Sequence, residues 1–351
     1  MNIKNIFLAL VSFIFLAPTL FFFCGTNEDK NGNLENQETL VFKPKKPFDY
    51  FDSYYKNNFA FRNLLSKQYM ALKSGVADVS SIPDKVIIGK DGWYYLGNSY
   101  KNVYSESLGV VKYPEKEIVT ITNDILEMNR FCTSLGIKFY FFVAPNSHTI
   151  YKEFLPVTPN SKLRRIDILK INLKNKFDII DVRSQLLAAK SENQLYHKTD
   201  THWNEYGGYI GAQELLKNIK KDFVTVSLLD KNNFNIKKVQ MNQMDLTKML
   251  GIKAHDEKIF HLEKKLSPIQ IRNDTINKVV EIHATNSSKK FRGIVYSDSF
   301  GANLIPFLNI SFGNLTYLLT SKFSKERILA EKPDFVIFEV VERDLTRVEV
   351  K

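Results

Sequence analysis

The chain is poor in the residues that staple small folds or hold structural metals. It has only two cysteines in 351 residues. Cys24 lies at the end of an apolar run and Cys132 lies far downstream, so a disulfide between them is not expected and no disulfide framework exists. Neither has a cysteine or histidine neighbour at zinc-ligand spacing. No internal repeat is present. Lysine and arginine together number 49 against 38 acidic residues, a net charge of +11. That surface could meet nucleic acid, anionic lipid or an acidic polysaccharide. There is no basic stripe with interleaved aromatics and no zinc-finger spacing, so a nucleic-acid partner is not expected.

Charge is also missing over one long stretch. No charged residue occurs from Asn5 to Asn27, and "IFLALVSFIFLAPTLFFFC" is almost wholly apolar. About 20 apolar residues span a bilayer core as a helix. Lys4 precedes the run while Glu28 and Asp29 follow it, which places the N-terminus inside and the bulk of the chain outside the cytoplasmic membrane. The alternatives are a cleaved signal peptide and a lipoprotein at Cys24. The length, and the lack of a small-x-small site, favour an uncleaved transmembrane anchor at 1–24. A polar tether at 25–47 follows, then a folded domain at 48–351. Hydrophobic residues at 44% and aromatics at 13% are ample for a core in that domain.

Within it, "PFDYFDSYYKNNFAFRNLLSKQYMALK" has helical spacing and "DKVIIGKDGWYYLG" reads as a β-hairpin. From Pro114 onward strands and helices alternate. "PEKEIVTITNDILEMNRFCTSLG" is an amphipathic helix bounded by Pro114 and Gly136, and "IKFYFFVAP" is a buried strand. "KLRRIDILKINLKNK" and "NEYGGYIGAQELLKNIKK" read as helices, with "FDIIDV" a strand between them. "FRGIVYSDS", "LTYLLT" and "PDFVIFEVVER" read as strands, alternating with "GANLIPFL", a helix start, and "KERILAEK", a helix. The alternation predicts an α/β domain on a mainly parallel sheet. Residues 222–290, rich in lysine and asparagine, break the rhythm and read as an insertion.

Three stretches carry candidate chemistry. In "VYSDSFGAN", Ser299 follows an apolar strand and precedes a helix start. It would stand at the carboxyl edge of the sheet, with backbone N–H groups able to hold an oxyanion. The competing reading is a helix cap, which serine and aspartate also favour. In "TDTHWN", Asp200 and His202 face the same side of an extended segment, as an acid that orients a base requires. Asn204 is a fair cap for the helix that follows. Taken alone the pair also allows a solvated loop, or a metal site with His197, although Lys198 sits among those residues and no further ligand shell is visible. In "VAPNSHTIYKEFLP", Asn146 closes a strand and could donate to an oxyanion. His148 is a rival base without an adjacent acid. Trp203 either lines a glycan groove or packs on the sheet.

The segments "GKDGWYYL", "APNSHTIYKEFLP", "KTDTHWNEYGGYIGAQEL", "MDLTKMLG", "YSDSFG" and "VIFEVVER" occur in this order. Together they resemble the SGNH-hydrolase-like domain of the alginate O-acetyltransferase family (AlgJ/AlgX type), over Leu34 to Arg343. The resemblance implies a three-layer SGNH-like sandwich and a serine-dependent acetyl transfer to a polysaccharide hydroxyl outside the membrane. It places the family's Asp-x-His pair on Asp200 and His202 and its nucleophile on Ser299. It also implies a membrane-bound O-acyltransferase as the source of acetyl groups. No metal and no cofactor are expected. The chain departs from the family pattern at Ser297, where glycine is common, and in "APNSHT", where a lysine-containing stretch is more usual; the latter bears on Asn146. With water as acceptor the same residues would make a carbohydrate esterase. A non-catalytic glycan-binding scaffold is the reading from another class.

Overall fold

The computed structural model describes residues 80–160, 163–241, 244–252, 257–264, 270–276 and 279–350. The chain divides into two compact units, Met1–Ser81 and Ile82–Lys351, and the described residues fall almost wholly in the second. The expected anchor, the tether and the helical pattern of residues 47–73 lie outside the described residues. Among the described residues no helix is long and apolar enough to cross a membrane.

The second unit opens with an antiparallel hairpin, β1 (Val86–Ile88) and β2 (Tyr94–Leu96), paired Ile87 to Tyr95. Its turn places Asp91 and Gly92 at φ 53° and 77°, the Asp-Gly geometry that matches strand twist. After α1 (Val103–Ser107), α2 (Glu115–Ser134) starts behind Pro114 and stops before Gly136, at φ 73°. Its buried face, Ile118, Ile121, Thr122, Ile125, Met128 and Cys132, follows helical period. β3 (Lys138–Ala144) is buried throughout except for Lys138. There follow α3 (Ser147–Ile150), α4 (Arg165–Leu173), β4 (Ile180–Asp181), α5 (Arg183–Ala189) and α6 (Glu205–Lys220). The chain then forms β5 (Phe234–Met241), α7 (Asp245–Leu250), β6 (Glu257–Lys264), β7 (Gln270–Ile276), β8 (Val279–Thr285) and β9 (Arg292–Ser297). It ends with α8 (Ile305–Leu308), β10 (Asn314–Leu319), β11 (Lys322–Phe323), α9 (Lys325–Glu331), β12 (Phe335–Val341) and β13 (Glu349–Val350).

Seven strands form the central sheet in the order β4-β3-β12-β9-β10-β8-β7. The five from β4 to β10 are parallel, and β8 and β7 extend the edge antiparallel. Alternate residues feed two cores, one on each face. Phe139, Phe141 and Val143 of β3 join Val336 and Phe338 of β12 against α2 and α4. Tyr140 and Phe142 join Val295, Ile337 and Val341 against Leu215, Leu216 and Ile219 of α6. The result is helices, sheet and helices in three layers, as expected.

Two details differ from the sequence reading. Residues 222–290 do not stand wholly apart as an insertion. β7 and β8 are members of the main sheet, while β5 and β6 pair with each other as a separate antiparallel ribbon. The helix start expected at "GANLIPFL" is a 3-10 turn, Ser299–Asn303, followed by the single α-turn of α8. Gly301 and Asn303 have low helix propensity, and Pro306 in the first turn of α8 supplies no N–H to the ladder behind it.

Candidate active site

The carboxyl edge of β9 gives the site its first residue. Asp298 follows the strand in extended conformation and caps the 3-10 turn, its Oδ1 accepting the Phe300 N–H at 2.8 Å. Its Oδ2 accepts the Val341 N–H at 2.7 Å and so ties the turn to the end of β12. Asp298 is therefore the capping residue, which leaves the Ser299 side chain exposed and uninvolved in capping.

The segment before α6 supplies two more residues. Asn204 caps that helix, its Oδ1 accepting the N–H groups of Tyr206 and Gly207 at 3.0 and 3.1 Å. Just upstream, His202 Nδ1 lies 2.7 Å from Asp200 Oδ1, and the His202 N–H donates to the same oxygen at 3.0 Å. His202 Nε2 lies 2.8 Å from Ser299 Oγ, across 97 residues of sequence. Asp200, His202 and Ser299 thus form one hydrogen-bonded line. With Nδ1–H donating to the carboxylate, Nε2 accepts the serine hydroxyl proton. Burial pushes the Asp200 carboxyl up. The hydrogen bond and charge of His202, with the N–H groups of Asp245 and His202, outweigh that and hold it well below the usual carboxylate range.

Behind the pair stands Asp245 of α7, which the sequence reading did not select. Its N–H donates to Asp200 Oδ2 at 3.1 Å. Its carboxylate accepts the Thr201 N–H at 3.0 Å and the Thr201 hydroxyl at 2.6 Å. Burial, then the charge of Asp200, raises the Asp245 pKa. "MDLTKMLG" contains this aspartate, but nothing in its spacing points to His202. Asp200, His202 and Asp245 bring ligand-type atoms within 4.8 Å of one another. His197, named in the metal reading, is not among them. Its N–H pairs with the His202 carbonyl instead, and burial lowers its pKa to about 4. Asp200 Oδ1 and His202 Nδ1 bind each other, and both Asp245 oxygens bind Thr201. These donors are committed to one another, and we assign no metal to them.

Trp203 does not line a groove. It is 0% exposed, it packs against Phe142, Tyr196 and Phe300, and its Nε1–H donates to the Phe300 carbonyl at 3.0 Å. In an extended segment Trp203 points away from His202, into the core. His148 is likewise buried. Its Nε2 donates to the Leu96 carbonyl at 3.0 Å, and burial takes its pKa down to about 3. It stays neutral and tied to the β1–β2 hairpin.

The backbone donors of the Ser299 turn are fewer than expected. Phe300 N–H is taken by Asp298 Oδ1, and Gly301 N–H bonds the Asp298 carbonyl at 3.2 Å. Asn146 sits at the end of β3, buried, with its Oδ1 accepting Arg343 Nη1 at 3.0 Å. Arg343 also stacks over the Phe300 ring, 5.1 Å from its centroid, and the His202 ring lies 5.0 Å from the same ring. A guanidinium facing Asn146 fixes which end of the amide is oxygen, a constraint that sequence did not reveal.

Residues 86–279 match the family model described as the SGNH hydrolase-like domain of acetyltransferase AlgX. Asp200, His202 and Asp245 fall inside that match and Ser299 lies beyond it. A probable alginate O-acetylase AlgJ of Pseudomonas aeruginosa is 25% identical over 175 residues, 49% of this chain and 42% of that protein. The chain therefore spans less than half the length of this relative. The structure of Bacillus cereus PatB1 superposes with a TM-score of 0.59 at 16% identity, covering 75% of this chain and 97% of that one. PatB1 with a sulfonyl adduct gives 0.57 at 15% identity, covering 75% and 99%. At such identities these structures speak for the fold alone. The family match covers more than half of the sequence, in a domain with the three-layer architecture described above, and the chain belongs to the AlgX family of SGNH hydrolase-like acetyltransferase domains.

Proposed function

We propose that the protein is an O-acetyltransferase acting outside the cytoplasmic membrane, which moves acetyl groups to hydroxyls of a cell-surface or secreted polysaccharide. One observation carries this reading: the exposed Ser299 hydroxyl lies 2.8 Å from His202 Nε2 while His202 Nδ1 lies 2.7 Å from Asp200. Ser299 Oγ attacks the acetyl carbonyl carbon and its proton passes to Nε2. The bond from that carbon to the donor's leaving atom breaks, and His202 returns the proton to the leaving group. A sugar hydroxyl then gives its proton to His202 and attacks the acetyl-serine; the bond from the acetyl carbon to Oγ breaks, and His202 returns the proton to Ser299 Oγ. Asp200 stays ionised and holds the imidazole in the working tautomer. The Ser299 N–H and the Asn146 amide are the donors assigned to the oxyanion, with Arg343 orienting Asn146.

The polysaccharide acceptor rests on the family and on the alginate O-acetylase relative. A membrane-bound O-acyltransferase is the assigned source of acetyl groups, and the 1–24 segment is the assigned single-pass anchor, joined by the 25–47 tether to the domain at 48–351. The test is incubation of the full chain with an acetyl ester, with and without oligosaccharide. Acetylated oligosaccharide that disappears in Ser299→Ala is the expected result. Hydrolysis with no transfer to any acceptor sinks the transferase reading. The exposure of Ser299 makes that outcome, a carbohydrate acetylesterase, the second reading, because water reaches the same acyl-serine. A non-catalytic scaffold would leave polymer acetylation in cells intact when Ser299 is replaced by alanine.

A further inference from the structure

β12 lies between β3 and β9, and six of its seven residues are apolar. The seventh, Glu339, is 2% exposed. A carboxyl group in that position is expensive: removing an unpaired one from water costs several kcal/mol, whereas leucine there would simply pack. No lysine, arginine or histidine pairs with it among the described residues, and Arg343, the cation whose charge reaches it, is hydrogen-bonded to Asn146 instead.

Its partners are backbone groups of the nucleophile turn. Glu339 Oε2 accepts the Asp298 N–H at 3.2 Å, and the backbone of Gly301, whose N–H bonds the Asp298 carbonyl, faces the same carboxyl group. These two residues flank Ser299 and Phe300. A Cβ added to Gly301 would lie 3.2 Å from Glu339 Oε2, so the turn is built closely against this side chain. The other carboxyl oxygen, Oε1, and the hydroxyl of buried Ser297 have no partner among the described residues.

We infer that Glu339 is a positioning residue for Ser299, fixing the Asp298–Gly301 turn from beneath so that Oγ stays in line with His202. Burial, then the neighbouring Asp298 carboxylate, drives the Glu339 pKa well above the usual value. A neutral carboxyl keeps Oε2 as an acceptor for the turn. Of the other charged groups that face it, Asp298 comes from the β9 end and Arg343 from the residues after β12.

The inference rests on Ser299 being the nucleophile, and the test separates the two claims. Phenylmethylsulfonyl fluoride reacts with an activated serine: the Oγ–S bond forms, fluoride leaves and the proton goes to the base. The rate of modification at Ser299 is read by mass spectrometry over a range of reagent concentrations, beside thermal unfolding of each variant. Glu339→Leu is expected to lower the limiting rate by about tenfold or more, with the half-saturating concentration unchanged. Glu339→Gln, which keeps a neutral acceptor, is expected to restore the wild-type rate. Folded Glu339→Leu reacting at the wild-type rate overturns the inference, and so does folded Glu339→Gln reacting as slowly as Glu339→Leu. If Glu339→Leu does not fold, exchange of the Asp298 N–H in Glu339→Gln decides: wild-type protection supports the inference and fast exchange overturns it. Wild type that is not modified at Ser299 overturns the nucleophile reading, and this inference with it.

Discussion

The backbone N–H of Asp245 donates to Asp200 Oδ2 at 3.1 Å, across 45 residues of sequence. Asp200 thus gives one oxygen to His202 and the other to α7, and cannot rotate without losing one of them. The Asp245 carboxylate completes the brace through Thr201. Thr201→Val removes the 2.6 Å hydroxyl bond to Asp245 without changing volume much. It should lower kcat for acetyl-ester turnover by about tenfold with little change in KM, because the loss is one of alignment. Steady-state kinetics of the folded variant check this, and an unchanged kcat refutes the brace.

Gly301 has no room for a side chain. A Cβ there would lie 2.5 Å from Ser297 Cβ and 2.6 Å from Ser297 Oγ. Gly301→Ala should destabilise by about 1–3 kcal/mol. Ser297→Gly, which restores the residue usual in the family, should recover part of that loss in the double variant. Chemical denaturation of the four proteins gives the coupling; simple additivity would show that the two positions do not share the space.

Trp203→Phe keeps most of the packing and removes the indole N–H, leaving the Phe300 carbonyl without its 3.0 Å donor. The expected loss is about 1–3 kcal/mol in stability, with slower modification of Ser299 and an unchanged KM for oligosaccharide. A raised KM alone, with stability intact, would return Trp203 to the glycan groove.

Acid should act on the Asp181–Arg183 pair at the end of β4. Burial pushes Asp181 up, but its hydrogen bonds to Arg183 outweigh that and bring the pKa down to about 2 from 3.8. A carboxyl depressed on folding adds stability that is fully present above the unfolded value. That stability fades as pH falls through the folded one, roughly 2 kcal/mol over pH 5 to 2. Arg183→Met should be less stable at neutral pH and lose less on acidification. Urea denaturation at pH 7 and pH 3 checks it; parallel losses in both proteins refute the assignment.

The sequence was most legible where one physical constraint acted alone. α2 has a proline before it, a glycine after it and an unbroken helical stripe. β3 and β12 are buried on both faces; after Lys138, β3 reads as a continuous apolar run, and β12 is interrupted only by Glu339. The Asp200–His202 pairing follows from residues two apart in an extended segment. The same alternation places Trp203 on the opposite, core-facing side, so its burial was written there too. The edge strand β7 reads "QIRNDTI", a polar sequence that offers no buried-strand signal. The link from α7 to Asp200 is made by a main-chain N–H, which every residue except proline has, and so no residue type betrays it. Glu339 stood in a visible motif, but its partners are also backbone groups.

Trp203 and the Ser299–Asn303 turn hold each other twice: the indole N–H reaches the Phe300 carbonyl, and Asn303 Nδ2 donates to the Trp203 carbonyl at 2.7 Å. Gly208 of α6 adds a contact so close that a Cβ would collide with the Asn303 carbonyl. His202 and Ser299 therefore ride on one interlocked piece, although the chain visits it twice. A chimera that exchanges residues 297–304 with those of a relative, but leaves residues 200–208 behind, would separate halves that fit only each other. Both segments have to travel together.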